Sequence, residues 1–141
     1  MLYMLIRCQQ PTLATLDKLY YVLHNSRMKT IDGNSLRGHL ESLILAVLER
    51  EAAHGFEIMK QLDEEGRGAL SLKEATIYPI LYRLEKAKHV RGAWDTDTTS
   101  SRGPRRRIYH ITPKGRRELT KRRKYWAHFV STVGRMIEVP Q

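Results

Sequence analysis

Lys73-Glu74-Ala75-Thr76-Ile77-Tyr78-Pro79-Ile80-Leu81-Tyr82-Arg83-Leu84-Glu85-Lys86-Ala87-Lys88 runs directly into His89-Val90-Arg91-Gly92-Ala93-Trp94, and the spacing of apolar residues changes at the junction. Before it, Ile77, Ile80, Leu81 and Leu84 recur every three or four residues, which predicts a helix over 73–88 with one apolar stripe. Lys73, Thr76, Tyr82 and Arg83 fall largely off that stripe. After it, Val90, Gly92 and Trp94 alternate with Arg91, Ala93 and Asp95, the period of a strand. Residues 97–104 hold Thr, Ser, Gly and Pro without an apolar anchor, and alternation resumes from Arg107 to Ile111. The two alternating runs predict a β-hairpin with a long tip.

Upstream, Leu40, Leu43, Ile44, Val47 and Leu48 repeat at helical spacing from Gly38 to about Ala53, and Phe56, Ile58, Met59 and Leu62 continue the pattern after His54-Gly55. Two helices joined by a tight turn are expected there. Further upstream, Leu13, Leu16, Leu19, Tyr20 and Leu23 predict an amphipathic helix over 12–25, separated by the turn-rich Asp32-Gly33-Asn34-Ser35. Downstream, Thr112-Pro113 is an N-cap followed by a proline at the first helical position. Leu119, Trp126, Phe129, Val130, Val133 and Ile137 then carry a final helix through about six turns.

Three helices followed by a hairpin make a winged helix, in which the third helix enters the DNA major groove and the hairpin tip lies on flanking backbone. The predicted fold class is therefore mainly α with a small β-hairpin: an N-terminal extension over 1–35, a winged helix-turn-helix over 36–112 and a long dimerisation helix over 113–141. So small a domain cannot bury Trp126, Phe129, Val130, Val133 and Ile137 by itself, and a second copy of the chain is the economical cover.

Charge reinforces this reading. Twenty-five Lys and Arg against 15 Asp and Glu leave +10 over 141 residues, and between Arg102 and Lys124 eleven basic residues face only Glu118. The rest of the chain is balanced at 14 of each sign. A surplus confined to 23 consecutive positions suits a polyanion better than a solvated face, which mixes signs. Arg102, Arg105, Arg106 and Arg107 straddle the hairpin tip and are the candidates for phosphate contact. Lys73, Thr76, Tyr78, Tyr82 and Arg83 are the candidates on the third helix, against the alternative that its tyrosines pack on the hairpin and first helix. Lys114, Arg116, Arg117, Lys121, Arg122, Arg123 and Lys124 cannot all point one way at 3.6 residues per turn, so some are merely solvated.

Other function classes find little support. The chain has no G-x-S-x-G or H-E-x-x-H, and Gly33 to Gly38 copies the glycine spacing of a phosphate loop but continues with His39-Leu40 where Lys and Ser or Thr are required. The six histidines are at least 15 residues apart and Cys8 is alone, so neither a metal nor a disulfide framework is expected. No enzyme activity and no cofactor are expected. No apolar run is long enough for a membrane span or a secretory signal, which makes the cytoplasm the expected location. A non-specific nucleic-acid or architectural DNA-binding protein remains the alternative to a sequence-specific regulator.

The motifs His54-Gly55-Phe56-Glu57-Ile58, Ala75-Thr76-Ile77-Tyr78-Pro79, Arg83-Leu84-Glu85, Trp94 and Tyr109-His110-Ile111-Thr112-Pro113-Lys114-Gly115 resemble, in order and spacing, the PadR family of bacterial transcriptional regulators. The likeness covers about residues 36–137, and within the family it is similar to the short branch that includes the lactococcal multidrug repressor. It implies a homodimeric repressor on an inverted-repeat double-stranded DNA operator, with Tyr78 at the exposed start of the recognition helix. It also implies that Trp126, if not a dimer-core residue, walls a pocket between paired final helices for a flat hydrophobic effector. Phe56 stands where the family usually has Tyr, and Ala75 where it has Gly. The resemblance implies too that Pro79 is tolerated inside the third helix, where a local kink is expected. Family members usually have few residues before the equivalent of Leu36. Residues 1–27 are thus either an upstream translation artefact, with Met28 the natural start, or an extra helix over part of the dimer surface.

Overall fold

The computed structural model describes residues 30–31, 34–96 and 105–138. The helix expected over 12–25 and the tip residue Arg102 lie outside them. Among the described residues, four helices and three strands follow in the order α1 (Leu40–Arg50), β1 (Ala53–His54), α2 (Gly55–Glu65), α3 (Glu74–Lys86), β2 (Val90–Trp94), β3 (Arg107–Ile111) and α4 (Pro113–Ile137). Each helix follows from its apolar spacing: Ile44, Leu45, Val47 and Leu48 of α1, Ile58 and Leu62 of α2, Ile77, Ile80, Leu81 and Leu84 of α3, and Leu119 of α4 are all buried in one core. Such burial is the dominant favourable term for a domain of this size.

Two boundaries differ from the sequence reading. Helix α1 begins two residues after Gly38, which takes a left-handed φ of +89° that a regular helix excludes. It ends at Arg50 because the chain turns extended at Glu51, with φ −155°, to form β1. That strand was not expected. The hairpin is the larger part of a three-stranded antiparallel sheet of order β1-β3-β2, in which Ala53 pairs with Tyr109 and His54 with Ile108. Two residues are too few to show a period of two, so β1 reads as part of a turn. Tyr109, at the centre of the sheet opposite Gly92, is buried, and that burial pushes its phenol above the ordinary range.

The start of α4 is locked onto the end of α3. Lys88 has φ +62° and turns the chain, and the Thr112 N–H donates to the His89 carbonyl at 3.0 Å. The Thr112 hydroxyl donates to the Lys88 carbonyl at 2.7 Å and accepts from the Gly115 N–H at 3.0 Å, the N-cap bond expected for this residue. Lys114 Nζ donates to the Ala87 carbonyl at 2.9 Å. Gly115 is required by close approach, since a Cβ there would stand 2.1 Å from the His89 carbonyl oxygen.

Beyond that junction α4 lies along α1, tied by ion pairs that flank Leu119. Arg122 reaches Glu41 and Glu118, each at 2.8 Å, and Arg123 forks onto Glu49 at 2.7 and 3.2 Å. Hydrogen bonding from Arg123 holds the Glu49 carboxyl below its usual range, and Arg122 does the same for Glu118. Arg50 of α1 pairs with Glu65 of α2.

Candidate nucleic-acid interface

Helix α3 buries one face and presents the other. With Ile77, Ile80, Leu81 and Leu84 inward, Thr76, Tyr78, Pro79, Tyr82, Arg83 and Lys86 are exposed along one arc. Tyr82 is 66% exposed and Tyr78 45%. The difference comes from α2: a Cβ at Gly55 would lie 2.8 Å from Cε1 of Tyr78, so this ring rests on the glycine that opens α2. Lys73 is the exposed N-cap residue of α3 and forms no side-chain cap. Pro79 sits inside α3, which continues to Lys86. Arg83 shares the exposed arc, but its Nε lies 3.4 Å from Glu41 Oε1, across to α1.

The arginines of the wing divide by environment. Arg107 pairs with Glu85 of α3, lies 5.6 Å from the Trp94 ring centroid and covers Gly92, where a Cβ would stand 2.2 Å from its Nε. Glu85 also accepts the Gly92 N–H at 3.3 Å. Arg107 thus fastens the hairpin to α3 and is half-buried, although its place in the sequence groups it with the tip. Arg105 and Arg106 are exposed and line a groove of about 630 Å³ with Phe56, Glu57, Tyr78 and Trp94. His54 supports the wall of this groove: its Nδ1 is 3.4 Å from the Arg107 carbonyl and its Nε2 3.9 Å from Asp95. One side of α3 therefore opens onto a cleft with exposed guanidinium groups and exposed aromatic rings.

Residues 44–121 match the family profile described as the transcriptional regulator PadR-like family. The chain belongs to the PadR family. A PadR-like transcriptional regulator of Bacillus cereus is 32% identical, covers 77% of this chain with 100% of its own, and superposes with a TM-score of 0.64. A PadR family transcription regulator of Clostridium difficile is 27% identical, with a TM-score of 0.62 over 72% of this chain and 100% of its own. An uncharacterized protein X of Lysinibacillus sphaericus is 34% identical over 103 residues, 73% of this chain and 92% of that protein. The winged helix-turn-helix fold and the long last helix expected from the sequence are those of the PadR structures. PadR proteins regulate transcription by binding DNA, so the exposed arc of α3 and the wing groove beside it are the surfaces to consider.

In this PadR chain the basic segment is less free than its composition suggests. Arg107, Lys114, Arg122 and Arg123 have partners within the fold, whereas Arg105, Arg106, Arg116, Arg117, Lys121 and Lys124 are exposed without an ion pair among the described residues. The acids that partner Arg122 and Arg123 from α1, Glu41 and Glu49, are more than 70 residues away in sequence, which is why counting along the chain missed them.

The second half of α4 carries the apolar stripe into solvent. Trp126, Phe129, Val130 and Ile137 are 49%, 41%, 47% and 71% exposed, and Val133 is half-buried. Trp126 stacks on Phe129 at 5.9 Å between centroids and meets His39 edge-on at 5.0 Å, while Tyr125 stacks on Phe129 at 6.4 Å. Tyr125 and His39 were not among the sequence candidates. Tyr125 falls beside the seven-residue spacing on which the stripe was read, and His39 reaches it only because α4 packs along α1.

Proposed function

We propose that the protein is a homodimeric repressor that binds an inverted-repeat operator with two copies of α3 in successive major grooves and two wings on flanking backbone. The observation that carries this reading is the single exposed arc of α3, with Thr76, Tyr78, Tyr82 and Arg83 on it and Lys73 at its start, beside the exposed guanidinium groups of Arg105 and Arg106. Thr and Arg suit base edges and phosphates in a major groove, and tyrosine supplies a rigid ring with a donor at its tip. Arg102 belongs to the same tip by sequence. Arg107 serves by holding the wing root to Glu85 and Trp94.

The exposed stripe of Trp126, Phe129, Val130, Val133 and Ile137 supports pairing of α4 with its copy in a second chain. Two half-sites would then sit one helical turn, about 34–36 Å, apart or at a multiple of it. The stacked Tyr125, Trp126 and Phe129 offer a flat apolar surface, and a flat hydrophobic effector lodged between paired α4 helices would release the operator if it favoured a different wing separation. The lock between α3 and α4 at Thr112 and Gly115 suits this role, because a shift of α4 would be passed rigidly to the reading helix.

Replacing Arg105 and Arg106 together by Ala is expected to weaken binding to every duplex alike. It should also lower the slope of log affinity against log salt by up to about two for each protomer on the duplex, at about 0.9 for each phosphate no longer neutralised. Fluorescence anisotropy over a salt series measures both quantities. An unchanged slope would remove the wing from the interface.

A further inference from the structure

The exposed arc of α3 has two edges, and the wing occupies only one. Tyr78 lines the wing groove, while Thr76, Pro79 and Arg83, further round the helix at 3.6 residues per turn, line a second groove of about 570 Å³. Its far wall is the chain leading into α1, with Asn34 and Arg37, and the first turn of α1, with Glu41. Arg37 is exposed, and its side chain reaches Asn34 Oδ1 at 3.2 Å. Helix α1 opens at the same place, with no side chain capping it.

We infer that this second groove seats a backbone phosphate of the DNA strand opposite the one held by the wing, with Arg37 and Arg83 as its cationic walls. The inference rests on the reading of α3 as the major-groove helix. A helix in a groove about 12 Å wide lies between two phosphate strands, so a protein with a basic cleft on one flank gains orientation from a second on the other. The groove is lined with donors suited to phosphate oxygens, namely two guanidinium groups, the Thr76 hydroxyl and the Asn34 amide. Glu41, the one acid among the described residues that line the groove, already shows how an anion sits there. Its Oε1 lies 3.4 Å from Arg83 Nε while its Oε2 accepts from Arg122 at 2.8 Å. A phosphate oxygen that takes Arg83 leaves Glu41 still paired with Arg122, so no carboxylate is stranded. Arg37 lies outside both the basic segment and the third helix, and only folding brings it opposite Thr76 and Arg83.

The test compares wild type, Arg37→Gln, Arg37→Lys and Arg105→Ala by salt-dependent binding to one duplex, followed by a scan of the same duplex with single uncharged methylphosphonate linkages. Arg37→Gln should lower the salt slope by about 0.9 for each protomer on the duplex, on matched and scrambled sequences alike, and Arg37→Lys should restore it. One methylphosphonate, on the strand not contacted by the wing, should weaken wild type but leave Arg37→Gln indifferent. If Arg37→Gln changes neither slope nor scan while Arg105→Ala lowers the slope, the second seat is refuted and the DNA-binding reading stands. If wild type shows no salt-dependent duplex binding, the reading beneath it fails as well.

Discussion

Val130→Glu is expected to convert the protein into a folded monomer and to reduce affinity for a two-half-site operator by about a hundredfold or more. Val130 is 47% exposed in the single chain and lies between Phe129 and Val133 on the stripe assigned to pairing. A surface substitution of this kind leaves domain stability within about 0.5 kcal/mol. In a dimer the same carboxylate would be desolvated against its symmetry mate in an apolar seam, and both desolvation and like-charge repulsion oppose that. Losing the link between two reading heads removes an avidity of about 10² to 10⁴ while leaving a single half-site unaffected. Sedimentation velocity of the variant, with binding to one and to two half-sites, separates these effects. A variant that stays dimeric would move the subunit interface off this stripe.

Gly115→Ala should be the most damaging small substitution in the domain. Alanine improves helix propensity by up to about 1 kcal/mol, but here its Cβ would stand 2.1 Å from a backbone carbonyl oxygen. That carbonyl, of His89, already accepts from the Thr112 N–H, and the neighbouring Lys88 carbonyl holds the Thr112 hydroxyl, so neither side can retreat without breaking the junction. Overpacking against fixed backbone costs about 1–3 kcal/mol and loss of the Thr112 cap about 1 more, so that, with the propensity gain set against them, the net loss is about 1–3 kcal/mol. At about 4–8 °C per kcal/mol this lowers Tm by at least about 4 °C. Thermal unfolding followed by circular dichroism reads it directly, and a shift within about 2 °C would mean that the junction is looser than the hydrogen bonds around Thr112 imply. DNA binding measured below the transition should suffer too, since this junction sets the angle between α3 and α4.

Much of this was legible because it is written at short range. The stripe of α3, the cap of α4 at Thr112-Pro113 and the alternation of β2 and β3 are periodic or local signals, and each element forms where its signal stands. What was not legible depends on distant residues meeting. Strand β1 exists only because β3 offers it a partner. Phe56, grouped with the apolar positions of its helix, is 57% exposed and lines the wing groove, since the pattern over so short a helix did not fix which face turned inward. The role of Arg107 is set by Glu85 and Trp94, and those of Arg122 and Arg123 by Glu41 and Glu49, pairings that no charge count along the chain could assign. The candidate interface was therefore visible as a region, but the division between cations paired within the fold and cations left exposed required the structure.

Sequence-specific recognition by a dimer is the central claim, and selection of binding sites from random duplex DNA at near-physiological salt tests it most directly. The expected result is an enriched inverted repeat bound about a thousandfold or more tighter than scrambled duplex. Affinity that shows no preference among sequences and vanishes as salt rises would contradict it, and would leave a non-specific architectural DNA-binding protein in its place.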